Sequence, residues 1–422
     1  MRMPPKIIHR ARFVLIHPEI LLENAAVSVS EDGHVLATCF QPTMHVELGT
    51  EVIDWGDAII MPGLVNAHAH LDLTALHRRL TDFSSFADWA LRLIHERRTW
   101  TPEDYRSSVE EGARRALMSG TTLVVDIASG NGGWDALSGE YPRRVVFEET
   151  LGLDPDLTES AMAKIHTLFD QADRGAARPL QVHAISPHAP YSTSGELYRR
   201  AAELAQSRKV PWTTHAAETP AELRFFETGD GEFHEFLQRL GALPENWHAP
   251  GAHPVTWLDT LGILGPSCLL AHCNYLDAAA IIRISRSKSS VVYCPRSHAF
   301  FGHESHPVRR LLDAGVPVAM GTDSLASNDS LSMIDEMRYT YTTRKDLTPE
   351  EILCAATVHG AAALGFANRL GCLVPGFFAD MTIFDLPPDI KANRLTDQIL
   401  EGAGEWRATV INGRIASGRQ CP

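Results

Sequence analysis

Hydrophobic and polar positions follow two rhythms along this chain. Residues 6 to 60 hold short β-branched and apolar runs (KIIHRARFVLI, AAVSVS, HVLATC and AII) broken by Gly, Asn, Asp and Pro, a pattern of strands with no convincing helix. The C-terminal stretches DMTIFDL and ATVINGRIA alternate in the same way, and Asn412-Gly413 gives a hairpin signal. Between these flanks, apolar runs of about five to eight residues alternate with amphipathic segments of about ten or more, the rhythm of a parallel α/β fold.

Eight such runs occur in order: IIMPGLVNAHAH, TTLVVDIAS, RVVFEET, QVHAISPHAP, VPWTTHAAE, CLLAHCN, SVVYCPR and VPVAMGTDS. Helical segments such as EDYRSSVEEGARRALMSG, GELYRRAAELAQSRK, DAAAIIRISRSK and HPVRRLLDAG separate them, each closing on Gly, Ser or Lys before the next strand. Eight parallel strands with crossover helices over about 300 residues predict an α/β fold, a closed (β/α)8 TIM-like barrel. A doubly wound open sheet is the alternative.

Charge narrows the range of partners. With 38 Lys+Arg against 52 Asp+Glu, the net charge of −14 argues against a nucleic-acid or anionic-membrane binder, because either partner selects a basic face. A small-molecule substrate is expected, and a homo-oligomer is compatible with the sequence. The seven cysteines, Cys39, Cys268, Cys273, Cys294, Cys354, Cys372 and Cys421, form no CxxC pair and read as reduced, mostly buried thiols. The N-terminus lacks a signal-peptide pattern and no apolar run approaches ~18 residues, so a cytoplasmic protein is expected.

Polar residues interrupt the strands at their C-terminal ends, the face of a (β/α)8 barrel on which active sites form. His68 and His70, two apart at the end of the first strand, point to the same side. The fifth strand ends in Thr214-His215-Ala216-Ala217-Glu218, the sixth in Ala271-His272-Cys273-Asn274, and the eighth in Gly321-Thr322-Asp323-Ser324. A lone His or Asp at a strand end is ordinarily a satisfied hydrogen-bonding residue. Five on one face are different: without a cation, so many buried imidazoles and carboxylates would be desolvated and poorly paired.

Three His and one Asp give N and O ligands with no thiolate, which suits one Zn²⁺ with an open position, or Fe²⁺ or Mn²⁺. Water in that position would be activated at neutral pH. Glu218, three residues beyond His215, is in the neighbourhood to take its proton and pass it to a leaving nitrogen. His272 could orient the water or polarise the attacked group.

With these residues assembled, the chain resembles the amidohydrolase superfamily, in its cytosine-deaminase-like and chlorohydrolase-like branch. MPGLVNAHAHLDL, SPHAPYSTS, HAAET, LAHCNYLD and GTDSLASNDSLSMIDEMR are similar to that branch's motifs on the first, fourth, fifth, sixth and eighth strands. The resemblance implies His68, His70, His215 and Asp323 as metal ligands, Glu218 as proton shuttle, His272 as a partner of water or substrate, and His188 as a substrate contact. It also implies a catalytic barrel over residues 61-372, and a composite β-sandwich from residues 1-60 and 373-422. Binuclear members bridge two metals with a carbamylated Lys on the fourth strand, and Gln181 to Ser186 contains none, so one metal is expected.

After the seventh strand the branch's Asn-Pro-x-Ser-Asn element is replaced by CPRSHAFFGH. An Arg in such a loop forks well onto a carboxylate, which makes Arg296 the expected contact for an anionic substrate group. That pattern, with DFSSFADW in the first loop, is most similar to aminofutalosine deaminases, whose nucleoside substrate carries a benzoate. The resemblance thus implies hydrolytic deamination of an aminated heterocycle, a purine nucleoside such as aminofutalosine or one of the adenosine or S-adenosylhomocysteine type. Hydrolytic dechlorination or cyclic-amide hydrolysis on the same site is the alternative. A metal-binding scaffold without activity would have no need of Glu218.

Overall fold

The computed structural model describes residues 6–44, 46–129, 141–174 and 181–419. Its centre is a parallel eight-stranded sheet in sequence order: Leu64–Asn66, Thr121–Ala128, Arg143–Thr150, Gln181–Pro187, Trp212–Ala216, Cys268–His272, Ser290–Tyr293 and Val318–Met320. The ends meet. Ala67 N–H donates to the Met320 carbonyl at 2.9 Å, and Ala69 bridges Asp323 in parallel fashion, so the first and last strands close a barrel. Strands buried on both faces read as unbroken apolar runs, and Thr121–Ala128 is buried at every position.

Crossover helices begin and end where side chains satisfy their free backbone groups. Thr101 and Asp104 form a reciprocal capping box at the start of Pro102–Leu117. Ser194 caps Gly195–Arg208, and Asp277 caps Ala278–Ser287. The latter two helices end on Lys209 and Lys288 in the left-handed region, which turns the chain back toward the next strand.

The termini build one mixed sheet in the order Arg414–Gly418, Glu405–Ile411, Met381–Asp385, Ala58–Pro62, Ile7–His17, Ile20–Val29 and Val35–Phe40, with Glu51–Asp54 added along Ile7–His17. Its apolar residues, among them Val14, Val27, Trp55, Ile60, Met381 and Val410, share one core. The hairpin expected at Asn412-Gly413 is present, with φ of 53° and 72°, the paired positive values of a type I′ turn. The first apolar run, IIMPGLVNAHAH, is two strands rather than one. Ala58–Pro62 belongs to the terminal sheet and Leu64–Asn66 to the barrel, and the chain crosses at Gly63, where a Cβ would lie 2.1 Å from Thr122 Oγ1. A buried ion pair, Arg143 to Asp380 at 2.6 Å, pins the barrel to that sheet.

The six described cysteines are free, and Cys421 lies outside the described residues. Among the described residues, no helix is long and apolar enough to cross a membrane.

Candidate active site

Four strand ends deliver imidazoles and a carboxylate to one point at the C-terminal mouth of the barrel. The His68 ring lies 5.1 Å from that of His70, 5.0 Å from that of His215 and 5.2 Å from that of His272, centre to centre. His70 Nε2 is 3.2 Å from His215 Nε2, and Asp323 Oδ1 is 3.7 Å from His68 Nε2 and 3.6 Å from His70 Nε2. His68 is 1 % exposed, yet neither of its ring nitrogens has a hydrogen-bond partner. Orphaned buried nitrogens facing a carboxylate and two further imidazoles are a donor set that a divalent cation satisfies.

The surroundings aim these donors. His215 Nδ1 donates to the His188 carbonyl at 2.8 Å, which leaves the Nε2 lone pair directed at the centre. Asp323 Oδ2 accepts from Ser297 Oγ at 2.6 Å and Ser327 Oγ at 2.8 Å, leaving Oδ1 for the histidines. The Asn66 amide holds Thr322, accepting its N–H at 3.1 Å and donating to Oγ1 at 2.7 Å. Gly321 leaves room for His68, since a Cβ there would lie 2.8 Å from both the Cβ and the carbonyl oxygen of His68. Ala217, His272, Cys273 and Asp323 all take positive φ, between 50° and 66°, so the strand ends carry backbone strain at the residues that meet at the centre.

Glu218 follows His215 by three residues and is buried. Its carboxyl is pushed well above the usual range, first by burial and then by the charges of Asp323 and Glu222, so it keeps a proton at a pH where an exposed carboxyl is ionised. His272 Nε2 lies 3.5 Å from Glu218 Oε1. Burial holds the His272 ring well below the ordinary value, and hence neutral, while its carbonyl accepts from His306 Nε2 at 2.8 Å. The Glu222 carboxylate accepts two consecutive main-chain N–H groups, those of Ala217 at 3.0 Å and Glu218 at 2.8 Å.

Above these groups opens a cavity of about 530 Å³. Its walls are mostly apolar, with Phe86, Trp89, Leu93, Tyr191, Phe236 and Leu240 among them, and His188 lines it near His215. Arg296 does not. Its guanidinium donates to Ser330 Oγ at 2.7 Å and stands 3.9 Å from Asp329, because the loop after the seventh strand winds into the helix Pro295–Phe300 and takes Arg296 with it. Arg296, expected to contact an anionic substrate group, thus lies outside the cavity lining, and among the described residues Arg97 is the cation that lines it. Arg97 donates through Nε to Tyr105 and through Nη2 to Asp72 and Ser129, which leaves Nη1 uncommitted among the described residues.

Sequence reasoning did not single out Ser297, Ser327, Glu222, His306, Arg97 or Glu149. One signal was legible: Thr219-Pro-Ala-Glu222 has the spacing of a helix-capping box. Thr219 does cap the helix Pro220–Thr228, and Glu222 reaches back past it to the residues bearing the site.

Imidazoles and a carboxylate converging at the mouth of a parallel barrel are the layout of metal-dependent hydrolases. Residues 59–416 match the amidohydrolase family, and the chain belongs to it. It is 30 % identical over 392 residues to a 5-methylthioadenosine/S-adenosylhomocysteine deaminase of Moorella thermoacetica, covering 87 % of this chain and 84 % of that one. An adenosine deaminase from Xanthomonas campestris, solved with bound zinc, superposes with a TM-score of 0.82 at 25 % identity, covering 98 % of this chain and 93 % of that one. Aminofutalosine deaminase of Helicobacter pylori shares the fold, with a TM-score of 0.83 at 23 % identity over 97 % of this chain and 99 % of its own.

Proposed function

We propose that this protein is a metal-dependent hydrolase that deaminates 6-aminopurine nucleosides, releasing ammonia. The observation that carries this reading is the placement of Glu218 and neutral His272 beside the cluster of His68, His70, His215 and Asp323, at the floor of a cavity roomy enough for a nucleoside. His68, His70, His215 and Asp323 would hold one divalent cation, for which the zinc in the Xanthomonas campestris relative supports Zn²⁺ over Fe²⁺ or Mn²⁺. Bound there, the cation supplies Lewis acidity that lowers the pKa of water from about 15.7 toward about 7.

The chain's own groups do the rest. Glu218, holding a proton, gives it to the ring nitrogen beside the amine-bearing carbon, then takes one from the attacking water and passes it to the departing amine. His272, held by His306 and facing Glu218, orients the water. His188 contacts the base from the cavity wall. The apolar walls accept the substituent on the sugar, which accords with the nucleosides named for the curated relatives, 5-methylthioadenosine and 5'-deoxyadenosine.

A second reading, a nucleoside whose arm ends in a carboxylate, as aminofutalosine does, is favoured by one observation: Arg97 lines the cavity with Nη1 uncommitted. Ammonia release from adenosine, 5'-substituted adenosines and carboxylated 6-aminopurine nucleosides, compared with chloride release from a chlorinated heterocycle, tests the proposal. Turnover only of the chlorinated compound would overturn it.

A further inference from the structure

One acidic side chain in the cavity has no role in the chemistry above. Glu149 is the penultimate residue of the third barrel strand, Arg143–Thr150, and its carboxylate takes no hydrogen bond or ion pair among the described residues. A carboxylate set in a largely apolar wall without donors is costly unless something else supplies positive charge. A carboxylate oxygen of Glu149 and ring nitrogens of His188 and His215 lie within 4.8 Å of one another. His188 Nδ1 is engaged by Ser192 Oγ at 2.6 Å, so its Nε2 is the nitrogen left for the cavity.

We propose that Glu149 and His188 form a second, weaker divalent-cation site next to the primary one, and that its occupation blocks the enzyme. The inference rests on the primary site proposed above. His215 Nε2 can serve only one ion, and there it serves the first; the second ion would take one oxygen of Glu149, Nε2 of His188 and water. Two protein donors against four make it the weaker site. Arg97 opposes the second ion, but its guanidinium is itself drawn to Asp72 at 3.2 Å. Because His188 and Glu149 both line the space that substrate must enter, a cation there excludes substrate.

The test starts from full-length protein carrying one equivalent of Co²⁺ after exhaustive dialysis. Co²⁺ is then added up to millimolar concentration while bound metal is measured by equilibrium dialysis and the visible absorption of the ion is recorded. A second equivalent with its own spectrum is expected to bind, and excess Zn²⁺ is expected to inhibit the zinc-loaded enzyme by raising KM with kcat unchanged. Glu149→Gln should keep the first equivalent, which also shows that the variant folds, and should weaken the second by about tenfold or more. A stoichiometry fixed at one, or a second equivalent bound equally by wild type, Glu149→Gln and His188→Asn, would overturn the proposal while leaving the primary site standing. Failure to retain the first equivalent would overturn the primary site, and this one with it.

Discussion

The carboxylate of Glu222 accepts the main-chain N–H of Glu218 at 2.8 Å, so one buried acid fixes the position of another. It also accepts from Ala217, which has a φ of 50°, and so secures the strained turn that carries Glu218 to the site. Glu222→Gln replaces one acceptor oxygen by an NH₂ group facing a backbone N–H. Charge-assisted bonds of this kind contribute about 1.5–3 kcal/mol, so kcat should fall by roughly 10- to 100-fold with KM and metal content little changed. Steady-state kinetics with metal analysis checks this, and an unaltered kcat would show that Glu222 has no positioning role.

Glu218→Gln keeps the shape of the side chain and removes its proton transfer. Turnover is expected to drop by about 10²- to 10⁴-fold while one equivalent of metal stays bound. Near-normal turnover would take Glu218 out of the reaction.

Arg97 and Arg296 separate under the same substitution. Arg97→Met should raise KM for a carboxylate-bearing nucleoside by roughly 10- to 100-fold more than KM for adenosine, since only the former can use the uncommitted Nη1. Arg296→Met should change both alike, because its guanidinium is held by Ser330 outside the cavity. The ratio of the two KM values is the readout, and a ratio unmoved by Arg97→Met would exclude a carboxylate contact there.

Much of the molecule was legible in the sequence. All eight barrel strands announce themselves as apolar runs, and the polar residues ending them are the ones that meet, because strand ends in a closed barrel converge whatever the loops do. Side-chain direction beyond the strand was not legible. Arg296 lies three residues past Tyr293 at the end of the seventh strand, yet the short helix that begins at Pro295 turns it toward Ser330, and no periodicity in six residues reveals that. Arg97 was hidden for the opposite reason: it sits at the end of the amphipathic helix Phe86–Arg97, where a cation reads as favourable to the helix dipole. Only the packing of that helix over the barrel mouth brings it to the cavity.

His9 gives a pH dependence remote from the site. Its Nε2 donates to the Gly413 carbonyl at 2.9 Å and its Nδ1 accepts from Trp55 Nε1 at 3.2 Å, an arrangement only the neutral ring can make. Burial lowers its pKa from 6.5 to about 4. The unfolded chain therefore binds this proton more readily, so the stability His9 contributes is complete above pH 6.5 and is lost as pH falls through about 4, roughly 3 kcal/mol in all. His9→Gln should lower the slope of unfolding free energy against pH in that window, measured by denaturant melts. An unchanged slope would assign the acid sensitivity to other groups.

The most direct test of the proposed activity is ammonia released from 5'-substituted adenosines by protein holding one equivalent of Zn²⁺. One ammonia per nucleoside is expected, with formation of the 6-oxopurine, loss of activity on chelation and recovery on adding back one equivalent. No ammonia from any 6-aminopurine nucleoside, with the metal shown to be bound, would contradict it.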